Sequence, residues 1–155
     1  MSSSFTLTPI GHARSTRAVV EDDRWDAETC SIELDARFGE DALSGLETFS
    51  HVEVVFVMDR VRDEAIVSGA RHPRNNPSWP AVGIFAQRAK NRPNRLGTTV
   101  CRVLGVEGRV LRLSGLDAVD GTPIVDIKPW VRELGPRGEV VRPAWMTELM
   151  AGYWA

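Results

Sequence analysis

No apolar run in this sequence approaches the ~20 residues that a membrane-spanning helix needs. Its start, MSSSFTLTPIGHAR, has no charged region followed by an apolar one, so no secretory leader is read there. No membrane partner and a cytoplasmic location are therefore expected. The two cysteines, Cys30 and Cys101, lie far apart, outside any C-x-x-C and without clustered histidines. That spacing argues against a structural zinc site, so no metal is expected, and two free thiols are the rule in a reducing compartment. No G-x-G-x-x-G stands between a strand and a helix, which excludes the Rossmann-type nucleotide fingerprint.

Acidic residues are also missing, over one long stretch. Ala65 to Val106 contains no Asp or Glu but carries Arg71, Arg74, Arg88, Lys90, Arg92, Arg95 and Arg102. The net charge of −2 thus hides a segment of +7 beside a remainder with 12 basic and 21 acidic residues, or −9. A basic face on an acidic body is the footprint of a phosphate-bearing partner. The 155 residues, with 43% hydrophobic and 26% charged, are ordinary for a globular chain and predict one domain over 1–155 whose core needs no staples.

Two stretches combine loop formers with reactive polar residues. In GIFAQRAKNRPNRLG, residues 83–97, Pro93 fixes its own φ and pushes Arg92 toward an extended conformation, which makes a stiff cationic loop. In SGLDAVDGTPIVDIKPW, residues 114–130, Asp117, Asp120 and Asp126 surround Gly115 and Gly121 at the mouth of a short apolar run. Each alone reads most simply as turn chemistry or a solvated loop. One hairpin's length of chain separates them, so a sheet can bring both to the same rim, where loops carry sites on a rigid scaffold.

The periodicity predicts strands at Phe5 to Ile10, Cys30 to Leu34, His51 to Asp59, Ala81 to Ala86, Thr98 to Leu104, Arg109 to Ser114 and Pro123 to Ile127. His51 to Asp59 is the strongest, with Val52, Val54, Phe56 and Met58 on one face. Thr98 to Ser114 is the best hairpin, turning around Gly105, Glu107 and Gly108. Glu40 to Thr48 reads as a short helix or helical turn. Arg62 to Pro80, broken by prolines and asparagines, reads as a long irregular loop, and Glu21 to Thr29 as a polar loop around Trp25. Pro143 to Trp154 has the apolar stripe of a terminal amphipathic helix that covers the core. The expected class is mainly β, a small antiparallel β-barrel with one short helix and a C-terminal amphipathic helix.

At RPNRLG, LDAVDGTPIVDIKPW and GLETFSHVEVVFV, in that spacing, the chain resembles the TsaA-like (TrmO) family of S-adenosylmethionine-dependent methyltransferases. The resemblance runs from about Pro9 to Val131. It implies a small, often dimeric β-barrel that binds S-adenosylmethionine. It also implies methylation of N6 of threonylcarbamoyl-adenosine beside the anticodon of tRNA. Arg95 stands where the family usually has a second proline, and Trp130 where it has tyrosine. Longer members carry a further C-terminal domain, which keeps two alternatives open: another nucleobase-like or small acceptor, or a binding module without turnover.

Carried over by position, the resemblance implies that S-adenosylmethionine meets Arg88, Ser114, Gly115, Leu116 and Asp117, and Asp59 with Arg60. The loop Arg24, Trp25 and Asp26 would close over it, and Arg92, Asn94 and Arg95 would face the RNA. Chemically, a carboxylate such as Asp117 accepts from a ribose hydroxyl or attracts an ammonium, and a guanidinium such as Arg88 forks onto a carboxylate. If the acceptor is a carbamoylated N6, a base helps, and Asp126 and Asp120 are the candidates. For Asp126 a strand-end ion pair with Lys128 weighs equally.

Overall fold

The computed structural model describes residues 2–155. Six strands close into an antiparallel barrel: β1 Gly11–Ser15, β2 Cys30–Leu34, β3 His51–Val57, β6 Leu96–Glu107, β7 Val110–Ser114 and β8 Pro123–Pro129. Their order around the wall is β1-β2-β7-β6-β3-β8, with β8 returning to β1. Two short strands, β4 Ala70–Arg71 and β5 Val82–Gly83, form a separate ribbon inside the long loop between β3 and β6.

The barrel follows from period-2 alternation. Ala13, Ile32, Val52, Val54, Phe56, Cys101, Leu111, Leu113 and Ile124 point inward and are buried, joined by Leu116 and Ala118 from the β7–β8 connection. The alternate positions of β3, Glu53, Val55 and Val57, are half-buried, so this strand is screened on both sides, as its apolar middle predicts. Bulges adjust the phase. Val55 faces Asp126 but Phe56 faces Ile124, so Val125 is the extra residue that lets Ile124 turn inward while Asp126 stays outside. A second bulge at Leu104 does the same between β6 and β7. Both thiols are free and buried in the barrel, and burial pushes each up from its ordinary pKa.

Three expectations need correction. The alternation at Phe5 to Ile10 has no ladder partner; Phe5 and Leu7 are exposed and the first strand is β1. That strand has weak β-formers but sits tightly against β2: a Cβ on Gly11 would collide with the Glu33 carbonyl oxygen. Ala81 to Ala86 forms only the two residues of β5 before a 3-10 turn at Ile84–Ala86, because Gly83 ends its pairing with Ala70. Glu40 to Thr48, read as a short helix or helical turn, is a series of turns ending in a 3-10 helix at Leu46–Thr48, entered through Gly45 in the left-handed region. The terminal helix, α1 Ala144–Met150, is shorter than its apolar stripe. Beyond it the carbonyls of Gly152, Tyr153 and Trp154 accept from the backbone N–H groups of Arg24, Trp25 and Asp26. Those donors open a 3-10 helix at Trp25–Ala27 and would otherwise lack partners. No helix among the described residues is long and apolar enough to cross a membrane.

Candidate functional site

At one rim of the barrel the loops leave a cleft of about 1470 Å³. The 20s loop, the end of β3, the loop from β4 to β6, the start of the β7–β8 connection and the segment around α1 all contribute to it. Arg88 and Asp117 both line it, so the cationic loop and the acidic turn do meet in one cavity. Trp25, Asp59, Arg60, Arg92 and Asn94 line it as well.

Each of these side chains has an identifiable anchor. Arg88 is exposed and donates from Nη2 to the Thr98 carbonyl at 2.9 Å, with no carboxylate in ion-pair range among the described residues. Arg92 donates from Nη1 to the Gln87 carbonyl at 2.7 Å. Arg60 donates to the carbonyls of Ala18 at 2.6 Å and Asp120 at 2.9 Å, tying the end of β3 to two neighbouring loops. The Trp25 ring is buried beneath the Arg17 guanidinium, 4.0 Å from its centroid, and its indole N–H donates to the Asp22 carbonyl at 3.1 Å. Asn94 takes a left-handed conformation after Pro93, with φ 64°.

Asp117 is the best-supported carboxylate of the cleft. The hydroxyl of Thr99 donates to its Oδ1 and the hydroxyl of Tyr153 to its Oδ2. Burial first, and then the adjacent Asp117 charge, holds the Tyr153 phenol protonated well above the usual tyrosine range. It therefore remains a donor across the pH range where proteins work.

Other residues expected at the site are not part of the cleft wall. Ser114 ends β7, Gly115 carries φ 84° beneath the Trp154 ring, and the Leu116 side chain is in the core; none of the three lines the cleft. Arg24 and Asp26 are exposed and join the clasp with Gly152 and Trp154 through their backbones. Arg95 does not face outward freely: Nε donates to the Val61 carbonyl at 2.8 Å and its guanidinium pairs with Asp63. Asp120 accepts from the Ser15 N–H at 3.0 Å and fixes a tight turn through left-handed Gly121. Asp126 pairs with Lys128 and accepts from the Ile127 N–H at 2.9 Å. Neither aspartate is on the cleft wall. Among the described residues no group of three or more His, Cys, Asp or Glu is placed to hold a metal.

Several cleft residues carried no signal of their own in the sequence. Thr99 and Tyr153 read as strand and helix residues, and only folding brings both to Asp117. Arg74, read only as charge, forks onto Asp23 at 2.8 and 3.0 Å, and this hydrogen bond holds the Asp23 carboxyl below its ordinary pKa. The Trp79 indole donates to Glu148 at 2.8 Å, fastening α1 over the cleft. Gln87 is buried with both amide hydrogens given to the carbonyls of Arg71 and Val82, while its Oε1 and the Arg71 Nε have no partner among the described residues.

The family model for the tRNA-methyltransferase O N-terminal domain matches residues 17–135. A probable S-adenosyl-L-methionine-binding protein of Archaeoglobus fulgidus is 36% identical over 133 residues, which cover 77% of this chain and 35% of that protein. The human tRNA (adenine(37)-N6)-methyltransferase is 38% identical over 104 residues, covering 67% of this chain and 23% of the human one. A probable S-adenosyl-L-methionine-binding protein of Methanothermobacter thermautotrophicus is 32% identical over 139 residues, covering 85% and 94%. The crystal structure of TrmO from P. aeruginosa superposes with a TM-score of 0.75 at 30% identity, over 94% of this chain and 63% of that one. The chain thus spans only part of several proteins it matches and nearly all of another. With the matched segment and the superposed fold in agreement, the chain belongs to the tRNA-methyltransferase O family.

Proposed function

We propose that this protein is an S-adenosylmethionine-dependent methyltransferase that methylates N6 of threonylcarbamoyl-adenosine next to the anticodon of tRNA. The observation that carries the reading is the convergence of Arg88 and Asp117 on one cleft. S-adenosylmethionine presents a carboxylate, an ammonium, a ribose diol, an adenine and a sulfonium. For the carboxylate Arg88 supplies a guanidinium with no ion-pair partner among the described residues, and Asp117 supplies acceptors for the diol. Phe56, Met58, Trp145, Met146 and Leu149 give the cleft an apolar wall against which a flat base packs. Relatives named as S-adenosyl-L-methionine-binding proteins and as a tRNA methyltransferase support the same reading.

Methyl transfer from the sulfonium is an in-line displacement. The N–CH3 bond forms as the S–CH3 bond breaks, the sulfonium leaves as neutral S-adenosylhomocysteine, and the acceptor nitrogen loses its proton. Holding donor and acceptor in line is worth on the order of 7–11 kcal/mol of the barrier. Asp126 and Asp120 stand outside the lining with structural partners. The proton passes instead to water or to a cleft carboxylate such as Asp59, which has no ion-pair partner among the described residues. Arg92 and Asn94, beside the cleft mouth, face RNA in the cytoplasm.

The test is nucleoside mass spectrometry of tRNA incubated with the purified protein and S-adenosylmethionine. A product heavier by one methyl on threonylcarbamoyl-adenosine is expected. Unmodified tRNA in the presence of saturating donor would contradict the acceptor assignment.

We further propose a homodimer built on the outward face of β6. Val100 and Leu104 of β6 are 43% and 55% exposed and Phe85 is 74% exposed, and Val100 and Phe85 both line the cleft, so a second copy would extend its wall. Light scattering is expected to give twice the chain mass, and Leu104→Glu about half of that value. A monomeric wild type would end this assignment.

A further inference from the structure

We propose that Tyr153 is a positioning residue of the donor site: with Thr99 it clamps the Asp117 carboxylate so that its remaining lone pairs receive the two hydroxyls of a ribose diol. This rests on the S-adenosylmethionine reading of the cleft and extends it to a part of the chain beyond the matched segment, which ends at residue 135.

A carboxylate has two oxygens and about four lone-pair sites. Thr99 occupies one site on Oδ1 and Tyr153 one on Oδ2. That leaves one site on each oxygen, matching the paired donors of a vicinal diol. A carboxylate held by two hydroxyls cannot rotate about its Cβ–Cγ bond, so the geometry exists before the ligand arrives and less ordering is lost on binding.

The clamp is built rather than incidental. Tyr153 is brought to Asp117 by the clasp between residues 152–154 and Arg24–Asp26, whose bonds measure 3.2, 3.1 and 2.8 Å. The Trp154 ring meets Tyr153 edge-on at 5.1 Å and covers Gly115, where a Cβ would come within 3.8 Å of it. The Trp79–Glu148 bond fastens the preceding helix. The segment after Pro143 therefore supplies a wall of the cleft and delivers one hydroxyl to its central carboxylate.

The experiment compares wild type, Tyr153→Phe and Thr99→Val for binding of S-adenosylhomocysteine and of its 2′,3′-dideoxy analogue by calorimetry. Both substitutions remove one hydroxyl and keep the shape. Tyr153→Phe is expected to weaken S-adenosylhomocysteine by about tenfold and the dideoxy analogue by less than about twofold. Thr99→Val should show the same dependence on the diol, with melting curves of both variants near wild type. Equal losses for the two ligands would mean that Tyr153 only holds the fold, and no loss for either would mean that it plays no part; each overturns the proposal. Failure of the wild type to bind S-adenosylhomocysteine would instead remove the donor-site reading, and this inference with it.

Discussion

Asp117→Asn is expected to weaken S-adenosylmethionine binding by about a hundredfold or more, because a ligand hydroxyl loses a charged acceptor inside a walled cleft. The exchange keeps the shape of the side chain. Asparagine still offers one oxygen, and the hydroxyls of Thr99 and Tyr153, which now donate to Asp117, can turn to accept from its amide. The fold should therefore change little, with the melting temperature within about 3 °C of wild type. Calorimetry and a thermal melt on the same sample separate the two effects. An Asp117→Asn protein that binds normally would remove the acidic turn from the site.

Leu111→Ala is expected to cost about 2–5 kcal/mol of stability. Leu111 is fully buried in β7, where it faces Ile32 of β2 on one side and Val106 of β6 on the other. It is therefore at the seam of three strands in a wall that must close on itself. Truncation leaves a cavity that neighbouring strands cannot collapse into without breaking register. For a chain of this size the loss corresponds to a fall of roughly 5–15 °C in melting temperature. A shift below about 2 °C would show that the barrel interior is not the structural core.

These two substitutions divide the molecule as the sequence does. The barrel was legible because β2, β3, β6, β7 and β8 alternate with a clear period and their turns fall at glycines. Gly108, in the left-handed region, closes the β6–β7 hairpin where loop formers predicted it. Residues 5–10 misled because alternation describes a face and says nothing about a partner. β1 formed instead where Gly11 allows close approach to Glu33 and where β8 completes the ring.

The site divides in the same way. Arg88 and Asp117 could be placed at a common rim because both flank the same hairpin. Asp126 read as a candidate base because it lies beside the acidic turn, but the bulge at Val125 leaves it on the outside opposite Val55. Arg95 read as an RNA-facing residue because Asp63 and the Val61 carbonyl, which hold it, are 32 and 34 residues away. Tyr153 had no local signal: it lies 36 residues from Asp117 and reaches it only through backbone pairing of two irregular segments. Chain-distant contacts between loops depend on tertiary closure, which periodicity does not encode.

The claim on which all of this depends is that the rim cleft is a donor site with Arg88 and Asp117 on its wall. Titrating the purified wild-type protein with S-adenosylmethionine tests it most directly, with Arg88→Ala run alongside. Saturable binding of one ligand per chain, weakened by about tenfold or more in Arg88→Ala, is the predicted result. Absence of saturable binding to the wild type, or identical isotherms for the two proteins, would contradict it.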